Sequence, residues 1–194
     1  TEQETAQFVQ SADTLKRQKL VSSLAADPAT AENLAETWTH LLIGRSNARK
    51  VDQDSLWSFL REQFGDNRPW METVGRLISA EGRSDRQGET NFLLAHLNDQ
   101  ATPATAVTAR LFLGRQVHCT QCHDHPFEKW TQDQYYQTAA FFAQLGLDND
   151  PASQGRTIGG SAVEGAKPLF EVVKDRSTGE VTHERTGQVT PPKF

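Results

Sequence analysis

The residues best suited to chemistry form one short run, Cys119-Thr120-Gln121-Cys122-His123. Both cysteines of the chain fall in this run, three positions apart, and a histidine follows the second. Cys-x-x-Cys-His is the sequence signature of covalent c-type haem attachment. The spacing suits this chemistry because two thioethers from one turn hold two edges of the porphyrin, and the next residue offers an imidazole to the iron. The run therefore predicts one covalently bound haem c with His123 as an iron ligand.

Three other interpretations of this run stay open. A zinc ion could take its ligands from the same segment, namely Cys119, Cys122, His123 and His125. Structural zinc, however, usually draws its ligand pairs from two separated segments. A thioredoxin-like dithiol would need its first cysteine at a helix N-terminus, whereas here a predicted helix leads into the run. The two cysteines could also be inert and buried.

Residues next to the run are candidates for contact with the haem: His125, Phe127, Trp130 and Tyr135. His125 follows His123 by two residues, a reach of about 7 Å that is too short to pass around a porphyrin edge. We therefore expect His125 to hydrogen-bond a haem propionate or the turn itself. The aromatic side chains are candidates to line the haem pocket, and packing in the protein core explains their presence equally well. The second ring nitrogen of His123 should donate to a carbonyl or carboxylate, with Asp124 or a backbone carbonyl as acceptor.

The ligand on the opposite face of the iron is left open by the sequence. The only methionine, Met71, precedes the run and is kept as a candidate metal ligand beside His123. The remaining options are a histidine, from His40, His96, His118 and His183, or an open iron position of the kind that haem enzymes and sensors have.

The sequence around the run resembles a known family, the planctomycete cytochrome C-like domain, which has no well-established function. The similar segments are 112–114, 119–127, 130–132, 135–136 and 139–142. The resemblance is dense over about 105–145 and looser over 1–104. It implies c-type haem and a periplasmic or otherwise extracytoplasmic location. Residues 186–192 are similar to a junction with a second conserved domain, which implies a further domain downstream in the full-length chain.

These observations predict a c-type cytochrome domain that transfers single electrons through one haem. The alternatives are a haem enzyme or redox sensor with an open iron position, for example peroxidase-like, and a non-haem helical interaction module. The redox partner is not identifiable. Net charge is -5 and the sequence has no long Lys/Arg run, so it lacks the basic segment that nucleic-acid binding usually requires. No stretch approaches the roughly 18 consecutive apolar residues of a membrane-spanning helix.

The segments before and after the run are mostly predicted helices, which indicates a mainly α-helical fold. Apolar residues recur at helical spacing over 29–43 and, after a cap at Asp52, up to Gly65. Asn67 is expected to begin the next helix, and a weaker helix is expected over about 14–26.

Two further helices flank the run itself. Thr102 and Pro103 begin a helix that is expected to reach about Cys119. Thr131 and Gln134 form a capping box, and the helix that they begin is expected to end at Gly146.

The rest of the chain is predicted to be less regular. Residues 83–90 are expected to form a solvated loop, followed by a short apolar piece over 91–97. A helical haem domain over 1–146 would precede a loop and hairpin extension over 147–194. In that extension, 148–166 is predicted to be a loop, and 169–174 is predicted to pair with 180–185 as a hairpin. The chain begins at Thr1 without a signal peptide, so we expect a processed or excised segment, with any export signal upstream.

Overall fold

The structure, a computed structural model, describes residues 1–44, 51–97, 102–150, 171–176 and 178–193. These ranges hold eight α-helices: α1 Glu2–Gln10, α2 Lys16–Ala25, α3 Pro28–Ile43, α4 Gln53–Gly65, α5 Trp70–Ile78, α6 Thr90–His96, α7 Thr102–Phe112 and α8 Gln132–Ala139. A 3₁₀-helix, His118–Gln121, lies between α7 and α8. The strands are β1 Gly82–Arg83, β2 Leu145–Asn149, β3 Glu171–Asp175, β4 Val181–Thr182 and β5 Val189–Thr190. The mainly α-helical class is confirmed. Among the described helices, none combines the length and apolar character that a membrane crossing requires.

The predicted helix starts are largely confirmed because they depend on local caps. Asp52 caps α4 by accepting a hydrogen bond from the Ser55 N–H at 3.0 Å. Helix α5 begins at Trp70, later than the predicted start at Asn67. Asn67 has a φ of 51°, a left-handed conformation that cannot continue into a helix. Helix α1 was not predicted.

Helix α7 ends at Phe112, so its predicted extension to Cys119 is wrong. Gly114 takes a φ of 64°, and the Arg115 N–H donates to the Ala109 carbonyl at 3.0 Å. This glycine-ended geometry closes the helix and turns the chain away. The Cys-x-x-Cys-His run consequently lies in a separate turn rather than at the end of a long helix.

Helix α8 begins as predicted but ends early. The capping box between Thr131 and Gln134 is present. The helix stops at Ala139 rather than at Gly146, because the chain turns there and enters strand β2. This strand was not predicted, and its residues were assigned to a helix end and a loop.

The predicted pairing of 169–174 with 180–185 is wrong. Strand β3 pairs antiparallel with both β1 and β2, which gives the sheet order β1-β3-β2, with Val173 opposite Gly82 and Leu147. Strand β4 pairs with β5 instead, in a small C-terminal hairpin. A lone two-stranded hairpin is marginal in water, whereas the observed sheet buries Val173 in the core. Residues 151–170, which include most of the predicted loop, lie outside the described residues.

Residues 83–90 are not a solvated loop. Ser84 and Thr90 are buried, and the guanidinium of Arg83 binds two carboxylates. Its Nη2 lies 2.7 Å from Asp85 Oδ2, and its Nη1 lies 3.0 Å from Asp150 Oδ2. Paired charges can be buried where single ones cannot, so a polar sequence was compatible with a packed segment.

The apolar side chains form two cores. The larger one lies among α3, α4, α5, α6 and α7 and the three-stranded sheet. The smaller one lies under α8, and its buried members are Ala109, Val117, Tyr135, Tyr136, Ala139, Ala140 and Val181. The Cys-x-x-Cys-His run packs on α8, above this second core. Residues after 146 contribute to both cores, Val173 to the first and Val181 to the second.

Candidate functional site

The two cysteines are presented by a 3₁₀ turn. The Thr120 hydroxyl donates to the Val117 carbonyl at 2.5 Å, and the Cys122 N–H bonds the Cys119 carbonyl at 3.3 Å. With about three residues per turn, positions i and i+3 lie one above the other, so both cysteines are on one side of the turn. Cys119 is half-buried, Cys122 is exposed, and both are free thiols. The turn can therefore offer two thiols to one ligand.

The ring of His123 is held by the neighbouring peptide. Its Nδ1 lies 2.7 Å from the carbonyl oxygen of Asp124. A carbonyl oxygen only accepts, so Nδ1 carries the hydrogen and the neutral ring keeps its lone pair on Nε2. One ring nitrogen of His123 thus contacts a backbone carbonyl, one of the two acceptors expected for it, whereas the iron ligation by the other nitrogen stays a prediction. Because the side chain is exposed, its Nε2 is available to a metal.

One residue of α8 binds the chain on both sides of Cys122 and His123. The backbone N–H of Gln132 donates to Asp124 Oδ1 at 2.8 Å. Its side-chain Nε2 donates to the Gln121 carbonyl at 2.9 Å. Gln132 is only 1% exposed, and its position is fixed by the helix that it begins.

Two tyrosines of α8 form hydrogen bonds with neighbouring segments, one of them with the turn. The Tyr136 hydroxyl lies 3.2 Å from the Gln121 carbonyl and 3.4 Å from Glu184 Oε2. Burial, and then the charge of Glu184, hold the pKa of Tyr136 above its ordinary value, so the phenol remains a donor. Tyr135 is buried, and its hydroxyl donates to the Thr102 carbonyl at 2.9 Å. Tyr135 therefore joins α8 to the start of α7.

His125 organises the turn that follows the run. Its Nδ1 accepts hydrogen bonds from the N–H groups of Phe127 and Glu128, at 3.2 and 3.0 Å. Its own backbone N–H donates to the Trp130 carbonyl at 2.8 Å. Of the two roles expected for His125, the structure contains the hydrogen bond to the turn. Since Nδ1 accepts, the neutral ring carries its hydrogen on Nε2, which makes that atom a donor rather than a metal ligand.

The aromatic candidates fall in different places. Phe127 is 93% exposed at the tip of the turn. Trp130 and Tyr135 line a common cleft of about 440 Å³ between α7 and α8, together with Leu113 and Val117. The cysteines and His123 do not line this cleft. Phe127 is therefore the aromatic candidate that the structure leaves open to solvent.

The candidates for the opposite iron face are dispersed. Met71 is 85% exposed on α5, which packs on α6, whereas the cysteine turn packs on α8. His96 Nε2 lies 2.7 Å from the Leu42 carbonyl in the first core. His118 is exposed beside Cys119, and His183 is buried against Tyr136. His40 lies 3.6 Å from Glu36 on α3.

The donor set is compatible with a covalently attached haem. Two thiols of one turn are followed by an imidazole whose Nε2 has no hydrogen-bond partner among the described residues, and thioether attachment and iron ligation need these groups. Within the described ranges, no three side chains of His, Cys, Asp or Glu converge as a metal-binding group. The cysteines also lie away from an α-helix N-terminus, where a low-pKa dithiol is expected.

Gln132 was not among the predicted site residues. The buried face of α8 carries Gln132, Tyr135, Tyr136 and Ala139, which recur at i, i+3, i+4 and i+7. A polar residue in an apolar stripe of this kind was the available signal, because a buried amide requires hydrogen-bond partners.

These features define a mainly α-helical protein that presents a Cys-x-x-Cys-His turn at its surface, packed on a helix that binds the chain on either side of Cys122 and His123. The chain belongs to the PSCyt2 family, described as a protein of unknown function (DUF1549), whose model matches residues 1–146. No curated protein and no solved structure matches the chain.

Proposed function

We propose that this chain is a c-type cytochrome domain that carries one covalent haem and transfers single electrons. The observation that carries the proposal is the state of His123. Its Nδ1 is bonded to the Asp124 carbonyl at 2.7 Å, and its Nε2 has no hydrogen-bond partner among the described residues, directly after two free thiols of one turn. This combination matches the needs of thioether attachment and axial ligation.

Cys119 and Cys122 would hold the haem by thioethers, and His123 would bind its iron. When bound, the haem supplies a one-electron iron couple. The hydrogen bond at His123 Nδ1 fixes the direction of the ring and leaves the Nε2 lone pair for a bond to iron. Because Cys122 and His123 are exposed, a redox partner protein can approach the site closely. The resemblance described above supports an extracytoplasmic location and a further domain downstream.

A haem enzyme or sensor with an open iron position is the second candidate. It is favoured by the environment of the residues expected on the opposite face of the iron. Met71 is exposed on a helix that packs elsewhere, and His96 Nε2 is committed to the Leu42 carbonyl. Rapid binding of carbon monoxide by the reduced protein would favour this candidate over electron transfer.

The test is to produce the protein with a cytochrome c maturation system and compare it with a variant carrying Cys119→Ala and Cys122→Ala. The unmodified protein should keep its haem after denaturation, gain the mass of one haem, and give a c-type pyridine haemochrome spectrum. The double variant should release its pigment into acid acetone. Haem that extracts fully from the unmodified protein, bound zinc in its place, or a colourless protein would overturn the proposal.

A further inference from the structure

We infer that Gln132 and Asp124 form a clamp that positions Cys122 and His123 before any haem is attached. The inference rests on the proposed function, since it assigns the clamp to the haem-attaching turn. Gln132 donates through its side chain to the Gln121 carbonyl and through its backbone to the Asp124 carboxylate, at 2.9 and 2.8 Å. The two bonds lie on either side of Cys122 and His123 in the chain.

Asp124 connects the clamp to the imidazole of His123. The carboxylate of Asp124 is bound to the N-terminus of α8, and its carbonyl oxygen accepts the hydrogen of His123 Nδ1. Fixing the side chain of Asp124 restricts the peptide that carries this carbonyl. The tautomer and direction of the His123 ring therefore depend on a residue bound to the helix, and Asp124 and Gln132 act as positioning residues.

The burial of Gln132 indicates that the amide serves this role rather than stability. Its Oε1 is buried without a hydrogen-bond partner among the described residues. A buried acceptor left unpaired costs free energy, so an apolar side chain of similar shape would be tolerated at least as well. The Gln121 carbonyl would still accept from the Tyr136 hydroxyl. The side-chain amide of Gln132 therefore serves to give the Gln121 carbonyl a second hydrogen bond, beside the one from Tyr136.

The experiment compares two disruptive variants with two matched controls. Gln132→Met removes the donor to Gln121, and Gln137→Met makes the same change on α8 at a side chain without a polar partner among the described residues. Asp124→Ala removes the acceptor for the α8 N–H, whereas Asp124→Asn keeps an oxygen in its place. Each is prepared without haem, by expression without the maturation system, and with haem.

In the haem-free protein, the ¹⁵N shifts of His123 report its tautomer. The unmodified protein should show a protonated Nδ1, whereas Gln132→Met and Asp124→Ala should show averaged shifts of a mobile histidine. Asp124→Asn and Gln137→Met should match the unmodified protein. In the loaded protein, the two disruptive variants should keep a covalent haem but shift its reduction potential.

Unchanged His123 shifts together with an unchanged potential in Gln132→Met and Asp124→Ala would overturn the clamp. Circular dichroism identifies a variant that does not fold. In that case the result of the other disruptive variant decides whether the clamp exists. The haem-free measurement does not depend on the cofactor, so a colourless protein would refute the proposed function while the clamp is still tested. Covalent haem with unaltered variants would refute only the clamp.

Discussion

The Nε2 atom of His183 lies 2.9 Å from Oδ1 of Asp133, which joins the C-terminal hairpin to the first turn of α8. The two atoms are close enough for an ion pair when the histidine is protonated, although they are not aligned as a hydrogen bond. His183 is buried, and its ring packs on Tyr136 at 4.6 Å between centroids. Residues beyond the family-matched segment 1–146 therefore support the helix on which the cysteine turn packs.

Val181→Ala tests whether the hairpin stabilises this second core. Val181 is 0% exposed, so losing two buried methyl groups should lower the free energy of unfolding by about 2 kcal/mol. Val189, in the paired strand, is 53% exposed, and Val189→Ala should change the free energy of unfolding by no more than about 0.5 kcal/mol. Urea unfolding of both variants measures the difference. Equal effects would show that the hairpin does not stabilise the core.

His123→Ala should leave the haem covalently attached wherever maturation proceeds, because the thioethers do not involve the imidazole. The visible spectrum should change from that of the unmodified protein, since the axial ligand sets the electronic state of the iron. His118→Ala, at an exposed histidine beside Cys119, is the matched control and should keep the original spectrum. An unaltered spectrum in His123→Ala would mean that another residue binds the iron.

Met71→Ala should leave both the spectrum and the reduction potential of the loaded protein unchanged. Met71 was the first candidate from the sequence, but its side chain is 85% exposed on a helix that packs on α6. Its removal should also change the free energy of unfolding by no more than about 0.5 kcal/mol. A change of spin state in this variant would restore Met71 as an iron ligand.

His96 should make stability fall at mildly acidic pH. Burial lowers the pKa of His96 below its ordinary value of 6.5, against the opposing hydrogen bond to the Leu42 carbonyl, and the nearby Arg110 lowers it further. As pH falls below about 6.5, the unfolded chain therefore binds a proton that the folded protein does not, and the free energy of unfolding decreases until the pH reaches the folded-state pKa.

His96→Gln keeps an amide donor for the Leu42 carbonyl but does not titrate. Its free energy of unfolding should therefore depend less on pH below 6.5 than that of the unmodified protein. Urea unfolding at a series of pH values measures this. Identical pH profiles for the two proteins would assign the acid sensitivity to other groups.

Features that depend on neighbours within about four residues were predictable from local sequence alone. The Thr131–Gln134 capping box, the Asp52 cap and the Cys-x-x-Cys-His spacing all belong to this class. Caps and helical periodicity involve short-range hydrogen bonds and repeats, so the residues that make them are adjacent in the sequence. This is why the helical class and most helix starts were predicted correctly.

Which distant segments contact each other depends on tertiary packing. Strand β3 pairs with β1 and β2 rather than with the segment that follows it, because that arrangement buries Val173. The site depends on the same kind of contact, since Gln132 binds the carbonyl of Gln121 and the carboxylate of Asp124 only once α8 packs on the turn. Such hydrogen bonds form between groups that packing brings together, and local sequence preference carries no information about that packing.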